Sequence, residues 1–528
     1  MNMNEWWRGS VIYQIYPRSF YDSNEDGVGD LAGITSKIDY IKSLGVDGIW
    51  LSPFFRSPMK DFGYDVSDYR DVDPVFGTLE DFDLLLEGAH DAGLKVIIDQ
   101  VYSHTSEKHE WFAESRTSRD NSKADWYVWA DAKSDGSMPN NWLAIFGGPA
   151  WSWDTQRQQY YMHNFLSEQP DLNFHSPEVQ AEILDVAKFW LDRGIDGFRL
   201  DVANFYFCDQ ELKDNPPKKP EGGFDRPYKH QLHLNDRSQP ENIVFMEKIR
   251  SLLDQYEDKM AVAEIGSESY IARSIEYTLP NRLHTAYNFM LLENGPLTAK
   301  LIRDALKSWT SDEAWPSWSF SNHDVERSRS RWGGIEAGDE FTRMLINILM
   351  CLRGTIFLYQ GEELGLPQGQ VPYDKLQDPE AIRFWPNNLG RDGCRTPIPW
   401  KIRAPYAGFS QVEPWLPIDA QQQTMAVDVQ EGDASSCLAW TKKCIHFRKE
   451  QPALRLGSIE FIETPEPILA FRRTYEGETL VCIFNLSGNK ISNPLAITGK
   501  EALFGSGDYS EDGKVALPAF GGLVIRES

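Results

Sequence analysis

Short β-branched and aromatic runs alternate along this chain with amphipathic helical stretches, and that alternation narrows the folds open to it. Val11–Tyr16 ends at Pro17, after which Ile34, Ile38, Ile41 and Leu44 recur at helical spacing and stop at Gly45. Gly48–Ser52 reads as a second strand, and Thr78 caps a helix carrying Leu79, Phe82, Leu85, Leu86 and Ala89. Leu94–Val101 is apolar enough for burial on both faces, as a central parallel strand requires. Ser176-Pro177 opens a further helix that ends at Gly194, and Ile195–Leu200 is the fourth strand. Ala261–Ile265, Thr285–Met290, Trp315–Ser321 and Thr355–Tyr359 follow as four more. Eight strands with helices between them predict an α/β chain built on a (β/α)8 TIM barrel. A doubly wound open sheet is the alternative, but no GxGxxG or P-loop glycine run follows an early strand.

Two stretches break the alternation. Residues 104–170 are polar and aromatic, and predict a small domain (domain B) inserted after strand three, so the barrel takes 1–103 and 171–455. Residues 208–240 hold Asn215-Pro216-Pro217-Lys218-Lys219-Pro220 and Gly222-Gly223, which predict a mobile loop after strand four, long enough to cover one side of a site. From 456 to 528 the pattern turns to alternating strands. Ile468–Tyr475 and Thr479–Asn485 flank Glu476-Gly477, a hairpin signal, so this tail reads as a C-terminal all-β domain.

Charge narrows the function. Lys and Arg number 53 against 79 Asp and Glu, a formal charge of −26. Nucleic acid and anionic membrane surfaces both need a basic footprint, so neither is an expected partner. No apolar run is long enough to span a bilayer, and Met1-Asn-Met-Asn-Glu-Trp-Trp-Arg8 lacks the apolar core of a secretory signal. Cysteines at 208, 351, 394, 437, 444 and 482 contain no CxxC pair and read as reduced thiols of a cytoplasmic protein.

Barrel chemistry sits where strands end. Those positions carry Asp99 and His104, Arg199 and Asp201, Glu264, and Asn322-His323-Asp324. Arg199 and Asp201 are two apart on a strand and face the same way. A guanidinium beside Asp201 is expected to lower its pKa and keep it ionised, as a nucleophile requires. Glu264 follows Met260-Ala-Val-Ala263, where burial raises a carboxyl into the range of a general acid. A rim ion pair accounts for any one of these; a set drawn from four strand ends points to catalysis.

These segments resemble the α-amylase family of glycoside hydrolases (family 13), in its α-glucosidase and oligo-1,6-glucosidase branch. The matching stretches are Asp99–His104, Gly197–Asp201, Glu264 within Ala-Glu-Ile-Gly, Asn322–Asp324 and Gln169-Pro-Asp-Leu-Asn173. Trp7-Arg-Gly9, Tyr13–Arg18, Tyr359–Glu363 and Gly390–Trp400 extend the likeness over nearly the whole chain. The resemblance implies that Asp201 is the nucleophile, Glu264 the acid/base and Asp324 the transition-state stabiliser. It implies that His104, Arg199 and His323 hydrogen-bond the sugar, that Tyr64 lies under its ring, and that Asp61 and Arg395 close the pocket behind it. Asp99 is expected to support Arg199, and Phe146, Phe165 and Phe205 to line the pocket.

Asp22-Ser-Asn24-Glu-Asp26-Gly-Val28-Gly-Asp30 alternates oxygen donors around a glycine turn, like the first part of an EF-hand loop. The glutamate of a full EF-hand is missing, since that position is Gly33. By resemblance the segment carries a structural Ca²⁺ or Mg²⁺ on Asp22, Asn24, Asp26, the Val28 carbonyl and Asp30; no organic cofactor is implied.

The expected activity is that of a retaining exo-α-glucosidase. It would free glucose from the non-reducing end of short α-glucosides through a glucosyl-enzyme intermediate, with transglucosylation alongside. The substrate partner is a small oligosaccharide, and the enzyme is expected as a monomer or homodimer. Val202 after the nucleophile resembles α-1,6-cleaving relatives, but Ala203-Asn-Phe205 departs from their wording, so linkage stays open between α-1,4 and α-1,6. The alternatives are a trehalose or sucrose isomerase of the same family and, remotely, a non-catalytic sugar-binding or transporter-associated relative.

Overall fold

The computed structural model describes residues 5–219, 226–266, 269–292, 295–334, 336–495, 497, 499–510 and 513–527; Pro220, Gly222 and Gly223 of the expected loop lie outside them. The barrel strands are β1 (Val11–Ile15), β2 (Gly48–Leu51), β3 (Lys95–Gln100), β4 (Gly197–Leu200), β5 (Met260–Ile265), β6 (Thr285–Asn288), β7 (Ser317–Trp318) and β8 (Thr355–Tyr359). They pair in parallel in the order β6-β5-β4-β3-β2-β1-β8-β7. A parallel bridge from Ala286 to Pro316 joins β6 to the approach of β7 and closes the ring.

Period-two alternation sorts each strand between two cores. Ile12, Trp50, Ile97, Met260, Val262, Tyr287 and Phe357 pack with one another along the barrel axis. Their neighbours Val11, Tyr13, Ile49, Leu51, Val96, Ile98, Phe198 and Leu200 pack into the surrounding helices. The helix Leu79–Asp91 begins in a reciprocal cap between Thr78 and Asp81 and buries Phe82, Leu85, Leu86 and Ala89. The helix Pro177–Asp192 is capped by Ser176 and buries Val179, Ile183, Ala187, Trp190 and Leu191.

Three expectations change. The single helix read over Ile34–Leu44 is two, Leu31–Thr35 and Ile38–Leu44. Thr35 and Ser36 hydroxyls donate back to the Leu31 and Gly33 carbonyls and end the first turn early. The strand read over Trp315–Ser321 shrinks to Ser317–Trp318, bounded on its N-terminal side by Pro316, which has no N–H for the ladder. The described part of 208–240 is not a bare loop: Pro217 bridges Gln231, and Pro227–His230 forms a 3₁₀ turn.

Between β3 and the helix at Pro177, the strands Trp129–Ala130, Gln159–Met162 and Trp151–Asp154 form a small antiparallel sheet. The tail forms a five-stranded antiparallel sheet around Ile468–Tyr475 and Glu478–Asn485. Glu476 and Gly477 join those two strands with φ of 47° and 88°, the left-handed pair that a two-residue hairpin needs. Buried Arg473 donates to the Cys351 carbonyl (2.6 Å), and Arg448 to those of Met350, Leu352 and Gly354; both cations serve the C-terminal end of the helix Asp339–Cys351.

Candidate active site

The inward-facing side chains change from apolar to charged on climbing the strands. Ile97 is followed two residues on by Asp99, Arg199 by Asp201 and Val262 by Glu264, and Arg199 stands level with Asp99 and Val262. At the C-terminal ends these groups converge. Arg199 Nη1 lies 2.7 Å from Asp99 Oδ1 and 2.6 Å from Asp201 Oδ1, and its Nη2 lies 2.7 Å from Glu264 Oε2. Asp201 and Glu264 therefore meet across one guanidinium. The peptide just past Asp201 serves the same purpose: Val202 N–H donates to Glu264 Oε2 (3.0 Å) from a left-handed backbone (φ 35°), a conformation that β-branched residues avoid.

Asp324 comes from the loop after β7. Asn322 Oδ1 accepts the N–H groups of Asp324 and Val325 and fixes the turn. Asp324 Oδ1 receives Arg395 Nη2 (2.8 Å) and Arg391 Nη1 (3.4 Å). His323 stacks parallel to Tyr64 with ring centroids 5.4 Å apart. Gln14 Nε2 lies 2.7 Å from His323 Nδ1, which must accept, so Nε2 carries the proton toward Tyr64 Oη (2.6 Å). Tyr64 in turn donates to Asp99 Oδ2 (3.1 Å). His104 Nε2 donates to the Tyr64 carbonyl (2.9 Å), and Gln169 Nε2 reaches both that carbonyl and Asp61 Oδ2.

The two residues expected to close the pocket, Asp61 and Arg395, are not paired with each other. Asp61 Oδ1 takes its salt bridge from Arg391 Nη2 (2.9 Å), whereas Arg395 turns to the His323 carbonyl and Asp324. Arg391 is itself held by Asp378 (2.8 Å), a fully buried carboxylate that also accepts the Arg391 N–H. Both arginines stand four residues apart in the quoted Gly390–Trp400 stretch, and spacing alone does not say which one faces Asp61. Asp378 lies outside every quoted stretch and carried no signal. Phe146, Phe165 and Phe205 form a row with centroid spacings of 5.8 and 6.1 Å; Arg391 packs on Phe146, and Phe165 on His104.

Burial governs the proton balance. Asp201 is not held low, as the sequence led us to expect. Desolvation lifts it to about 7, against the pull of Arg199. One positive charge shared among three buried carboxylates cannot offset all three. Desolvation lifts Glu264 further, to about 8, with Asp201 and Asp324 adding to the rise. Burial would also raise Asp324, but His323, Arg395 and Arg391 win and hold it well below the usual carboxylate range. Burial drops the imidazoles of His104 to about 4 and of His323 to about 3, so both are neutral. Glu264 is raised further than Asp201, so Asp201 ionises before Glu264 as pH rises.

In the 22–30 loop the side chains fold the segment on itself. Asp22 Oδ1 accepts from the Asn24 and Glu25 N–H groups, Asn24 Oδ1 from Asp26, Asp26 Oδ1 from Val28, and Asp30 from Gly33 and Ser23. Among the described residues no three His, Cys, Asp or Glu side chains gather to hold a metal by themselves. An ion here would need the Asn24 amide and Val28 carbonyl oxygens as well as the carboxylates, and that all-oxygen set suits a hard cation. Gly33 replaces the EF-hand glutamate because a Cβ there would lie 2.1 Å from the Tyr21 carbonyl.

Residues 14–457 match the alpha-amylase family, described as alpha amylase, catalytic domain. The chain is 51% identical to a protein named "Probable alpha-glucosidase" from Rhizobium meliloti (strain 1021), over 99% of this chain and 97% of that one. It is 36% identical to an oligo-1,6-glucosidase from Parageobacillus thermoglucosidasius, over 96% and 95%. Its fold superposes on the crystal structure of the alpha-glucosyl transfer enzyme XgtA with a TM-score of 0.96, at 52% identity over 99% and 100% of the two chains. On the trehalulose synthase MutB from Pseudomonas mesoacidophila MX-45 the TM-score is 0.89 at 29% identity, over 99% of each chain.

Proposed function

The chain belongs to the alpha-amylase family of glycoside hydrolases, and from that premise we infer how its residues divide the work of an exo-acting α-glucosidase on small α-glucosides. Asp201 attacks the anomeric carbon while Glu264 gives its proton to the departing glycosidic oxygen. Water, deprotonated by Glu264, then displaces Asp201, and two inversions give net retention. The observation that carries this is Arg199, whose two terminal nitrogens hold Asp201 at 2.6 Å and Glu264 at 2.7 Å. That contact supports the spacing of about 5–5.5 Å between carboxyl groups that retention needs, too short for the inverting arrangement.

Asp324, held anionic, faces the positive charge that develops on the ring. Asp61 with Arg391 closes the pocket behind one glucose, which favours exo over endo action, and Tyr64 and the Phe146–Phe165–Phe205 row give the sugar its apolar walls. His104, His323 and Arg395 hold these groups in place. In this division the barrel (1–103 and 171–455) carries the chemistry, 104–170 completes the pocket wall, and 456–528 packs on the barrel away from it. A structural Ca²⁺ or Mg²⁺ on Asp22, Asn24, Asp26, Val28 and Asp30 would hold the loop that precedes the first helix, and it takes no part in the reaction.

A second outcome for the intermediate is favoured by one observation. A solved structure at 52% identity is of an alpha-glucosyl transfer enzyme, so a sugar hydroxyl competes with water for the glucosyl group. The isomerase reading rests on a more distant likeness, at 29% identity. Proton NMR of fresh digests of maltose and isomaltose is the test. Glucose should appear first as the α-anomer, with glucosyl oligomers beside it, while soluble starch stays intact. First appearance of the β-anomer would overturn the mechanism.

A further inference from the structure

Arg391 reaches Asp61, but its main hold is on Asp378. Arg391 Nη2 lies 2.8 Å and Nε 3.2 Å from Asp378 Oδ1, Nε lies 3.2 Å from Oδ2, and the Arg391 backbone N–H donates to Oδ2 (2.7 Å). A fork laid on a carboxylate in this way fixes the plane and direction of the guanidinium. Fixed so, Nη2 also donates to Asp61 Oδ1 (2.9 Å), and the group lies over the Phe146 ring at 4.9 Å. Nη1 points toward Asp324 Oδ1, 3.4 Å away.

Three local features press Asp378 against Arg391. Asp378 caps the helix Pro379–Phe384 and accepts the Glu380 N–H (3.3 Å). Asp392 Oδ2 accepts the N–H groups of Gln377 (2.7 Å) and Asp378 (3.0 Å), so the two segments are tied in both directions. Gly390 has a φ of 63°, and a Cβ there would lie 2.4 Å from Asp378 Oδ2; only glycine lets the carboxylate come this close. Burial would raise the Asp378 carboxyl, but Arg391 outweighs it and holds the group at about 2. Asp61, which takes one nitrogen of the same guanidinium, is instead raised by burial.

Resting on the reading that Asp61 and Arg391 close the pocket behind one glucose, we propose that Asp378 is the positioning residue of that closure. It holds Arg391 against Asp61, and so sets how strictly the pocket demands a hydroxyl at C4, the ring carbon across from the anomeric one. An asparagine at 378 keeps the size but turns an NH2 toward a donor that the carboxylate now accepts, and it leaves Arg391 to Asp61 and Asp324. The full chain is compared with Asp378→Asn and with Gly390→Ala, which keeps the charge but wedges a methyl against Oδ2. kcat and KM are measured on p-nitrophenyl α-D-glucoside and its 4-deoxy analogue, per active site counted by labelling with 5-fluoro-α-D-glucosyl fluoride. Wild type should prefer the glucoside. Asp378→Asn should lower kcat/KM on the glucoside about tenfold or more, through KM, and on the 4-deoxy analogue less than about threefold. Gly390→Ala should shift the preference the same way. A preference kept in both variants, or in whichever of them folds, overturns the proposal. So does an equal loss on both substrates, which is what a merely structural role would give. Failure of the wild-type protein on the aryl glucoside would instead sink the glucosidase reading itself.

Discussion

Arg199 shows how little a near neighbour decides when burial is complete. It touches Asp99, Asp201 and Glu264, yet all three are pushed upward, to about 6, 7 and 8. The proposed mechanism uses that gradient, with the carboxyl at the lower value as nucleophile and the one at the higher value as acid. kcat/KM should therefore follow a narrow bell, rising as Asp201 deprotonates near pH 7 and falling as Glu264 deprotonates near pH 8, the two limbs belonging to the coupled pair. Glu264→Gln assayed on α-glucosyl fluoride, whose leaving group needs no acid, should keep the acidic limb and lose the alkaline one. A wild-type profile flat through neutrality, or an alkaline limb that survives the substitution, contradicts the assignment. The meeting of Asp201, Glu264 and Arg199 was legible because strand ends are legible. The sign of the Asp201 shift was not, since it depends on how many carboxylates share one cation. Arg391 and Asp378 were missed because their partners lie hundreds of residues away or outside any motif.

Strands and helices with strong periodicity were legible nearly to the residue, as Thr355–Tyr359 and the cap at Ser176 illustrate. Errors fell where local chemistry overrides period: Pro316 bounds β7 on its N-terminal side, and two hydroxyls divided the first helix. The 22–30 loop is where the proposed structural cation is tested. A cation held by Asp22, Asn24, Asp26, the Val28 carbonyl and Asp30, as proposed, would stabilise the fold by mass action. Exhaustive EDTA treatment should lower Tm by several degrees, and added Ca²⁺ or Mg²⁺ should restore it. A Tm indifferent to both treatments removes the cation from the account.

At the scale of the molecule, the barrel supplies the carboxylates and other segments bring an aromatic row and Arg391 to them. Phe146 and Phe165 come from 104–170, Arg391 from the stretch after β8, and Phe205 from just beyond β4. Barrel and tail were legible because each repeats one period over many residues. The contact of Arg226 with Glu380 was not, since it leaves no pattern in the sequence. Among the described residues no helix is long and apolar enough to cross a membrane. In the proposed mechanism, Asp201 and Glu264 act on one glucose in opposite roles. The most direct measurement is mass spectrometry of the peptides left after incubation with 5-fluoro-α-D-glucosyl fluoride, which forms the intermediate but releases it slowly. The added mass should sit on Asp201, and Glu264→Gln should still acquire it. A label on any other residue, or none under conditions that inactivate the enzyme, would contradict the account.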